Sequence, residues 1–469
     1  MAFLSTLSDL VWGPWTLGLF LLVGGYYSLR TGFFQLWGAP VWLRTVFRSL
    51  RRRGGGGKGR AVTQLQAMSA ALAATIGTGS VAGVATAIFF GGPGAVFWMW
   101  VSALIGMMTG CAEKILAVRY RERGPDGALR GGPMVYIRDG LRLPGLAGLY
   151  AVFCVAETLC GGNLAQANSI ATGMHSAFGV DRLASGIVLA VLVMIVLVGG
   201  IGRIGRVSEL LVPLMAGLFI LGGLGVITAN ARALPAVFSQ IIRYAFAPRA
   251  VAGGYSMGLA LRYGAARGVF TNEAGLGMSA IAHACADVEE PAEQGMWGIF
   301  EVFFATLVIC TVTALVILTS GVYSPEEACS MIARGAVPER MLGAPLTAAG
   351  FATLLGRAGE VLVTVCLILF AFTSLLGAGY YGRRGVESLT DARWALALYH
   401  LAFPVFIILG SVWDLKAVWL LVDVFNGLLA LPNLAALALL SPEVLRILRR
   451  WRAGHRAKGA PFKSPRPDI

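Results

Sequence analysis

The sequence predicts an all-α membrane protein of eleven transmembrane helices, in which one extra N-terminal helix precedes an inverted repeat of five plus five helices. Three observations predict this class. Of the 469 residues, 57% are hydrophobic and only 13% are charged, whereas average globular chains carry about 25% charged residues. Apolar runs of about 20 residues, enough to cross a bilayer, recur along the whole chain. Two of these runs are interrupted by glycines at matching places.

Eleven runs are candidates for transmembrane helices, and the mean hydropathy of the chain is +0.73. A soluble protein of this length could not cover its surface with so few charges, whereas lipid can cover apolar side chains. The candidate spans are roughly residues 10–28, 61–90, 95–118, 145–170, 184–202, 207–229, 250–270, 297–319, 357–381, 396–412 and 416–440.

The net charge of +14 is spread over the segments between the apolar runs and forms no separate basic domain. This distribution argues against nucleic-acid binding and predicts orientation, because cytoplasmic loops of membrane proteins are rich in Lys and Arg. With eleven spans, every strongly basic loop lies on the cytoplasmic side of a cell membrane. The N-terminus then lies outside and the C-terminus lies in the cytoplasm. The segment 230–250 falls outside despite three arginines, and its pattern is typical of an amphipathic surface helix. The basic groups expected inside are Arg30, Arg44, Arg48, Arg51, Arg52, Arg53, Lys58, Arg60, Arg119, Arg121, Arg123, Arg130, Arg203, Arg206, Arg383 and Arg384.

The predicted spans divide the chain into four segments. Residues 1–60 hold the extra helix and a basic cytoplasmic loop, 61–229 the first five-helix repeat, 230–440 the second, and 441–469 a basic cytoplasmic tail. The N-terminus lacks the basic region of a cleaved signal peptide. The seven cysteines show no metal-type spacing, so we expect buried thiols and no disulfide framework.

The two glycine-rich runs are the first candidates for a binding site. The first, 72–94, contains the segment Ala74 to Gly83, and the second follows Arg267. Close helix packing is one explanation of such glycines. Glycine interruptions at matching places in two inverted halves instead point to broken helices around a substrate site. A broken helix leaves backbone N–H and C=O groups unpaired, which a membrane tolerates only where these groups line a cavity. The N–H groups can then bind a carboxylate, and the carbonyl oxygens can bind a cation.

The fourth predicted span carries amide side chains in an apolar setting. Asn163 and Gln166 share a face of this helix by their spacing, and either could make hydrogen bonds between helices instead of binding a ligand. Glu157, in the same span, is an ionisable group near mid-depth and hence a functional candidate, or the partner of an arginine on another helix. Glu273, beside the second break, belongs either to the site or to a polar cytoplasmic loop.

Two adjacent hydroxyl groups, Thr373 and Ser374, lie in the ninth predicted span. Sodium is a hard cation that prefers oxygen ligands, so hydroxyls and carbonyls together suit it. A helical Ser or Thr equally often bonds to the carbonyl four residues earlier. The sequence shows no arrangement of nucleophile, base and acid, so it offers no support for an enzyme.

Seven strings, distributed in order along nearly the whole chain, resemble the alanine/glycine:cation symporter family. The resemblance implies a LeuT-type fold and sodium-driven uptake of a small neutral amino acid, with sodium as the coupling ion and no further cofactor. The strings are Gly77–Ala87 (GTGSVAGVATA), Gly91–Trp100 (GGPGAVFWMW), Gly131–Ile137 (GGPMVYI), Asn163–Ser169 (NLAQANS), Arg267–Gly277 (RGVFTNEAGLG), Thr313–Gly321 (TALVILTSG) and Asn426–Asn433 (NGLLALPN).

The resemblance also implies roles for individual residues. It places the substrate on the first break and Gln166, and on the second break near Phe270. It draws the sodium ligands from carbonyls of the first broken helix and from the hydroxyl pair of the ninth span. The expected substrate residues are Thr75, Gly77, Thr78, Gly79, Ser80, Gln166, Phe270, Thr271, Asn272 and Ala378. The expected sodium ligands are Ala74, Gly77, Thr373 and Ser374.

Four departures from the usual family pattern lie near this site. Ser80 replaces an Asn, Ala378 stands where a Trp is common, and Ala305 replaces an Asp, with Glu301 one turn earlier. The residues after the second break, Met278 to Ile281, also differ. A larger amino acid or another coupling cation is therefore an alternative. A membrane sensor is disfavoured, because the loops are short and no signalling domain follows the last span.

Overall fold

The computed structural model describes residues 2–51, 62–124, 127–247, 255–335, 337–338 and 341–457. Helices dominate these residues, and the strands described are one short hairpin. In chain order the helices are α1 (Ala2–Val11), α2 (Pro14–Arg30), α3 (Phe34–Trp37), α4 (Ala39–Arg51), α5 (Gln64–Thr75), α6 (Val84–Gly91), α7 (Gly94–Arg119), α8 (Pro133–Gly140), α9 (Pro144–Leu159), α10 (Ala165–Phe178), α11 (Arg182–Leu197), α12 (Gly200–Ala229), α13 (Leu234–Ala245), α14 (Met257–Asn272), α15 (Ser279–His283), α16 (Pro291–Val302), α17 (Thr311–Thr319), α18 (Pro325–Ala333), α19 (Ala344–Leu355), α20 (Arg357–Leu389), α21 (Arg393–Val412), α22 (Leu415–Leu439) and α23 (Ser441–Ala457).

Three π-helical turns join consecutive helices, and a hairpin joins α7 to α8. The turns are Gly79–Gly83 before α6, Cys160–Leu164 between α9 and α10, and Phe303–Cys310 between α16 and α17. Such turns often occur at functional sites. The hairpin strands, β1 (Glu122–Arg123) and β2 (Leu129–Arg130), pair antiparallel.

Every one of the eleven predicted spans contains helix, and most are long enough to cross a bilayer. Among the described residues, seven helices have sufficient length and hydropathy, and the bent pair Gln64–Thr75 and Gly79–Gly91 makes an eighth candidate. Helices α2, α11 and α14 are shorter, at 17, 16 and 16 residues. The structure therefore establishes a multi-pass membrane protein, and the count of eleven remains a prediction.

Exposed apolar side chains cover the outer helices of the bundle. On α11, for example, Ile187, Val188, Val191 and Ile195 are exposed, whereas Val193 is fully buried. In water such a surface would be unfavourable, and lipid solvates it. The opposite faces of these helices pack into a continuous core formed by α5, α7, α16 and α20.

The first glycine-rich run is a broken helix, as predicted. Helix α5 begins with a capping box, in which Thr63 and Gln66 bond each other's backbone N–H groups, and it ends at Thr75. The chain then turns through Ile76, which has non-helical torsion angles (φ −82°, ψ 82°). The continuation, Gly79–Gly91, is inclined at 47° to α5.

The second break follows α14. It begins at Glu273, after the predicted position near residues 270–272. Helix α14 continues through Asn272, and the next residue, Glu273, adopts a left-handed conformation (φ 53°). Gly275 and Gly277 also have positive φ values, 93° and 78°, before α15 begins. A positive φ is uncommon for any residue except glycine. The break therefore covers 273–278, and Phe270, Thr271 and Asn272 form the end of the preceding helix.

Several predicted loops contain helix. Arg203 and Arg206 lie near the start of α12, and Arg383 and Arg384 lie inside α20. The segment 230–250 contains α13, whose Val237, Ile241 and Tyr244 are buried against α7. This amphipathic helix confirms the predicted pattern, although its apolar face packs on protein. The predicted tail contains α23, and residues 52–61 and 458–469 lie outside the described part of the chain.

Candidate functional site

A small cavity lies where the two helix breaks approach α10 and α20. Its volume is about 30 Å³, which is the space of about two water molecules. An amino acid is larger, so its binding requires the walls to move apart. Eight of the residues predicted to bind substrate or sodium line this cavity: Ala74, Thr75, Gly77, Gly79, Gln166, Phe270, Ser374 and Ala378.

The backbone at the first break faces Gln166 directly. The Gln166 Oε1 atom accepts a hydrogen bond from the N–H of Thr78 at 3.2 Å. A Cβ atom at Gly77 would lie 3.0 Å from Gln166 Nε2 and 2.7 Å from Ser374 Oγ. Glycine is therefore required for this close approach, which leaves backbone groups beside the cavity.

Ser374 lies against the carboxyl-terminal end of α5. Its Oγ is 3.1 Å from the carbonyl oxygen of Ala73 and 3.0 Å from that of Ala74. Ser374 is 3% exposed, so three oxygens from two helices meet in a nearly dry environment. Oxygen atoms in this arrangement match the ligand preference of a hard cation.

Thr373, the other predicted sodium ligand, is not brought to this place. Its hydroxyl donates to the carbonyl oxygen of Phe370 on its own helix at 3.0 Å and lies 3.8 Å from Met215 Sδ on α12. Successive residues of an α-helix point about 100° apart. Ser374 and Thr373 therefore face different neighbours, and the structure gathers only Ser374 with α5.

Four expected substrate residues lie beside the cavity without lining it. The buried hydroxyl oxygens of Thr78 and Ser80 have no hydrogen-bond partner within the described part of the chain. Thr271 donates to the carbonyl of Arg267 on its own helix at 2.7 Å. Asn272 points toward α16 and its continuation, where its Nδ2 donates to Thr306 Oγ1 at 3.2 Å.

Phe270 and its neighbours cover one side of the cavity. A Cβ at Gly79 would lie 2.7 Å from the Phe270 ring, so the first break also requires glycine here. Trp419 packs edge-on against Phe270, with ring centroids 5.5 Å apart. The guanidinium of Arg267 lies 5.1 Å from the Trp419 centroid and binds both carboxylate oxygens of Asp423, at 2.9 and 3.1 Å. This aromatic and ionic layer joins α14 to α22.

The opposite wall includes residues that the sequence analysis did not select. Ala378 packs against the π-helical turn, so that a Cβ on Gly162 would be 2.9 Å from Ala378 Cβ. Tyr381 also lines the cavity, as does Asn426 from α22. Tyr381 is three residues after Ala378 and hence on the same helix face, and Asn426 begins a string that matched the family.

A buried group of charges connects the two breaks behind the cavity. Lys114 Nζ on α7 lies 3.1 Å from Glu301 Oε2 and 3.4 Å from Glu113 Oε2, and it donates to Ser279 Oγ at 2.7 Å. Glu301 Oε1 in turn accepts from Thr75 at 2.8 Å. Both breaks are thus tied to one ion cluster that is wholly shielded from solvent.

Glu113 extends this cluster to the second break. Its Oε1 accepts from the N–H of Gly275 at 2.8 Å and from Asn433 Nδ2 at 2.9 Å. His283 Nε2 lies 3.4 Å from Glu301 Oε2. Sequence reasoning missed Glu113 and Lys114, because only tertiary packing brings them beside residues far along the chain.

Glu157 and Glu273 are two further carboxylates that line the cavity. Glu157 is 3% exposed and Glu273 is 8% exposed. Among the described residues no salt bridge joins Glu157 to an arginine, so they do not support the alternative of an ion pair between helices. Glu273 lies in the cavity wall, and its interpretation as part of a polar cytoplasmic loop was wrong.

Two broken helices meet at a buried polar cavity within a multi-pass helical bundle, which is the architecture of transporters with the LeuT-type fold. Among solved structures, MhsT in complex with L-phenylalanine shares this fold, with a TM-score of 0.56 and 14% identity, over 83% of this chain and 99% of that one.

The chain belongs to the sodium:alanine symporter family, whose model matches residues 1–464. It is 38% identical to the sodium/alanine symporter AgcS of Methanococcus maripaludis, covering 95% of this chain and 96% of the relative. It is 40% identical to an uncharacterized transporter of Haemophilus influenzae, covering 92% of each chain. The predicted family membership is therefore confirmed.

Proposed function

We propose that this protein is a sodium-coupled symporter of a small neutral amino acid of the alanine and glycine class and works by alternating access. One observation carries the proposal. The broken end of α5 presents glycine backbone and carbonyl oxygens to Gln166 on one side and to Ser374 on the other. A zwitterion and a cation can therefore bind the same broken helix, and each stabilises the arrangement that the other needs.

The amino acid occupies the cavity between the first break and Phe270 in this proposal. Its carboxylate binds near the backbone N–H groups that follow Gly77, where a helix start favours negative charge. Gln166 orients this backbone through Thr78. Because the cavity is smaller than an amino acid, the Phe270 layer has to withdraw when substrate enters.

Sodium binds beside the substrate, at the Ser374 hydroxyl and the carbonyl oxygens of Ala73 and Ala74. The carbonyl oxygen of Gly77 already accepts from the N–H of Ser80 at 3.2 Å, and its second lone pair remains for the ion. Of the two expected hydroxyl ligands, this proposal keeps Ser374 and leaves out Thr373, whose hydroxyl bonds to Phe370. Sodium then holds the end of α5 against α20.

The two five-helix repeats, 61–229 and 230–440, supply one broken helix each. Their inverted relationship and the orientation with the N-terminus outside a cell membrane belong to the same proposal. The positively charged loops support this orientation. The matching breaks in the two halves support the repeat, because transporters of this kind bind substrate at the repeat interface.

Uptake of labelled amino acids into proteoliposomes tests the proposal. We expect alanine and glycine to accumulate when sodium is high outside, and not when potassium replaces it. Empty liposomes and dissipation of the gradient with a sodium ionophore are the controls. Accumulation that is equal with and without the sodium gradient would refute sodium coupling, and no transport of any amino acid would refute the function.

A second candidate function is transport of a somewhat larger amino acid, such as serine, threonine or valine. The observation that favours it is Ala378, a small residue in the cavity wall at a position where the family resemblance implies a Trp. The close packing of Ala378 against Gly162 takes up part of this space. Competition of alanine uptake by a series of increasingly large amino acids separates the two candidates.

A further inference from the structure

Two carboxyl groups in the cavity wall have no counterion among the described residues. Glu157 lies in the last turn of α9, immediately before the π-helical turn, and Glu273 is the first residue of the second break. The Oε2 atom of each is buried and has no hydrogen-bond partner in the segments that the structure describes. Both side chains are more than nine-tenths buried and face the same cavity.

The buried cations near the site are already engaged with other carboxylates. Lys114 is bound to Glu113 and Glu301, at 3.4 and 3.1 Å. Arg267 is bound to Asp423. No salt bridge within the described residues reaches Glu157 or Glu273.

An ionised carboxylate in a buried apolar place costs several kcal/mol unless it is paired. Two such groups on one cavity oppose each other's ionisation as well, because like charges raise the free energy of the doubly ionised state. Binding of a proton to one of the two Oε2 atoms that lack a partner removes a charge and lowers this free energy. Carboxyl groups with this placement inside membrane proteins commonly carry protons across the bilayer.

Both residues lie at irregular segments of the backbone: Glu157 beside the π-helical turn after α9, and Glu273 in the second break. A Cβ at Gly161 would lie 2.6 Å from Glu157 Oε1, so this carboxyl group packs against the backbone of the π-helical turn. Glu273 holds a left-handed conformation, which is strained for a residue with a side chain. Movement at the second break, or at the π-helical turn between α9 and α10, therefore changes the surroundings of a carboxyl group.

We propose that Glu157 and Glu273 form a proton-binding site in the cavity wall, which takes up a proton together with the amino acid and releases it on the other side. This inference rests on the proposed transport function. A carboxylate oxygen accepts H⁺ from water on one side, forming an O–H bond. After the cavity opens to the other side, that O–H bond breaks and the proton returns to water, with no change in oxidation state.

Other titratable groups near Glu157 and Glu273 also contribute to the pH dependence of the protein. They belong to the cavity wall, to α9 and its π-helical turn, to α21 and to the ion cluster behind the cavity. They are Tyr381, Tyr150, Cys154, Cys160, Tyr399, Glu113, Lys114 and Glu301. The thiols and phenols ordinarily titrate well above the range of a carboxylic acid, and the charged members are paired with one another.

The test measures protons and alanine together in proteoliposomes that contain a pH-sensitive dye. Sodium is equal on both sides and the voltage is clamped at zero with potassium and valinomycin. We expect added alanine to acidify the lumen of vesicles with the wild-type protein. In the double variant Glu157→Gln/Glu273→Gln, the protons moved per alanine should fall to the level of empty vesicles. Glu360→Gln, the same change at an exposed residue of α20, should keep the wild-type ratio.

Alanine uptake without acidification by the wild-type protein would overturn the proposal while leaving the transport function intact, and this measurement needs no variant. A wild-type proton-to-alanine ratio in the double variant would overturn it too. Weaker alanine binding with an unchanged ratio would assign the pair to the substrate's ammonium group instead. Loss of all amino-acid uptake in the wild type would refute the transport function itself.

A pH profile provides a second readout. If the protonated pair is the form that binds alanine, the KM for alanine should rise as the external pH rises in the wild type. The double variant, in which both side chains are permanently neutral, should show a flatter profile. A steep profile that persists in the double variant would assign the pH dependence to another group and contradict the proposal.

Discussion

Replacing Ser374 by Ala removes one neutral oxygen from the proposed sodium site. In the structure the Ser374 Oγ is 3.0 Å from the carbonyl oxygen of Ala74 and 3.1 Å from that of Ala73, so a cation between them would contact all three. Interactions of a neutral group with a charge contribute roughly 1.5–3 kcal/mol. Since about 1.4 kcal/mol corresponds to a factor of ten in an equilibrium constant, we expect the apparent affinity for sodium to fall by about tenfold to a hundredfold.

The assay is the initial rate of labelled alanine uptake as a function of sodium concentration. Ser388→Ala, an exposed serine on the same helix, is the matched control and should behave like the wild type. Thr373→Ala should have a much smaller effect than Ser374→Ala, because its hydroxyl bonds to Phe370. Equal sodium dependence in Ser374→Ala and the wild type would refute the assignment of this site.

Three further substitutions test other parts of the account. Gln166→Ala leaves the backbone N–H of Thr78 without its 3.2 Å partner and should raise the KM for alanine by about tenfold, a loss of the size expected for a buried hydrogen bond; an unchanged KM would remove Gln166 from the site. Ala378→Trp overfills the cavity and should restrict uptake toward glycine and alanine in a competition series; an unchanged size range would show that Ala378 does not limit the pocket. Lys114→Met leaves Glu301 buried without its cation, which costs about 3–5 kcal/mol, so the melting temperature of the detergent-solubilised protein should fall markedly; an unchanged melting temperature would contradict the ion cluster.

The helix breaks were predictable because their signals are local. Glycines at 77 and 79 are required by contacts with Ser374 and Phe270, and glycines at 275 and 277 by positive φ values. The glycines themselves are visible in the local sequence, although the contacts at 77 and 79 come from residues far along the chain. The exact end of α14 was misplaced, because Glu273, and not a glycine, adopts the left-handed conformation that ends the helix.

The choice between the two adjacent hydroxyls could not be made from the sequence. Thr373 and Ser374 differ by about 100° in direction along their helix, and only the packing of α20 against α5 and α12 determines which one faces the break. The ion cluster was hidden for the same reason. Glu301 lies 187 positions after Lys114 along the chain, and nothing in the neighbourhood of Glu113 and Lys114 indicates this partner.

The central claim is that sodium and the amino acid bind the same broken helix and strengthen each other. Equilibrium binding of labelled alanine to the purified protein tests it without transport, membrane potential or leak. We expect sodium, and not potassium, to tighten alanine binding by about tenfold or more, a coupling of ordinary size between two linked sites, and Ser374→Ala to remove most of this effect. Alanine binding of equal strength in sodium and in potassium would contradict the account.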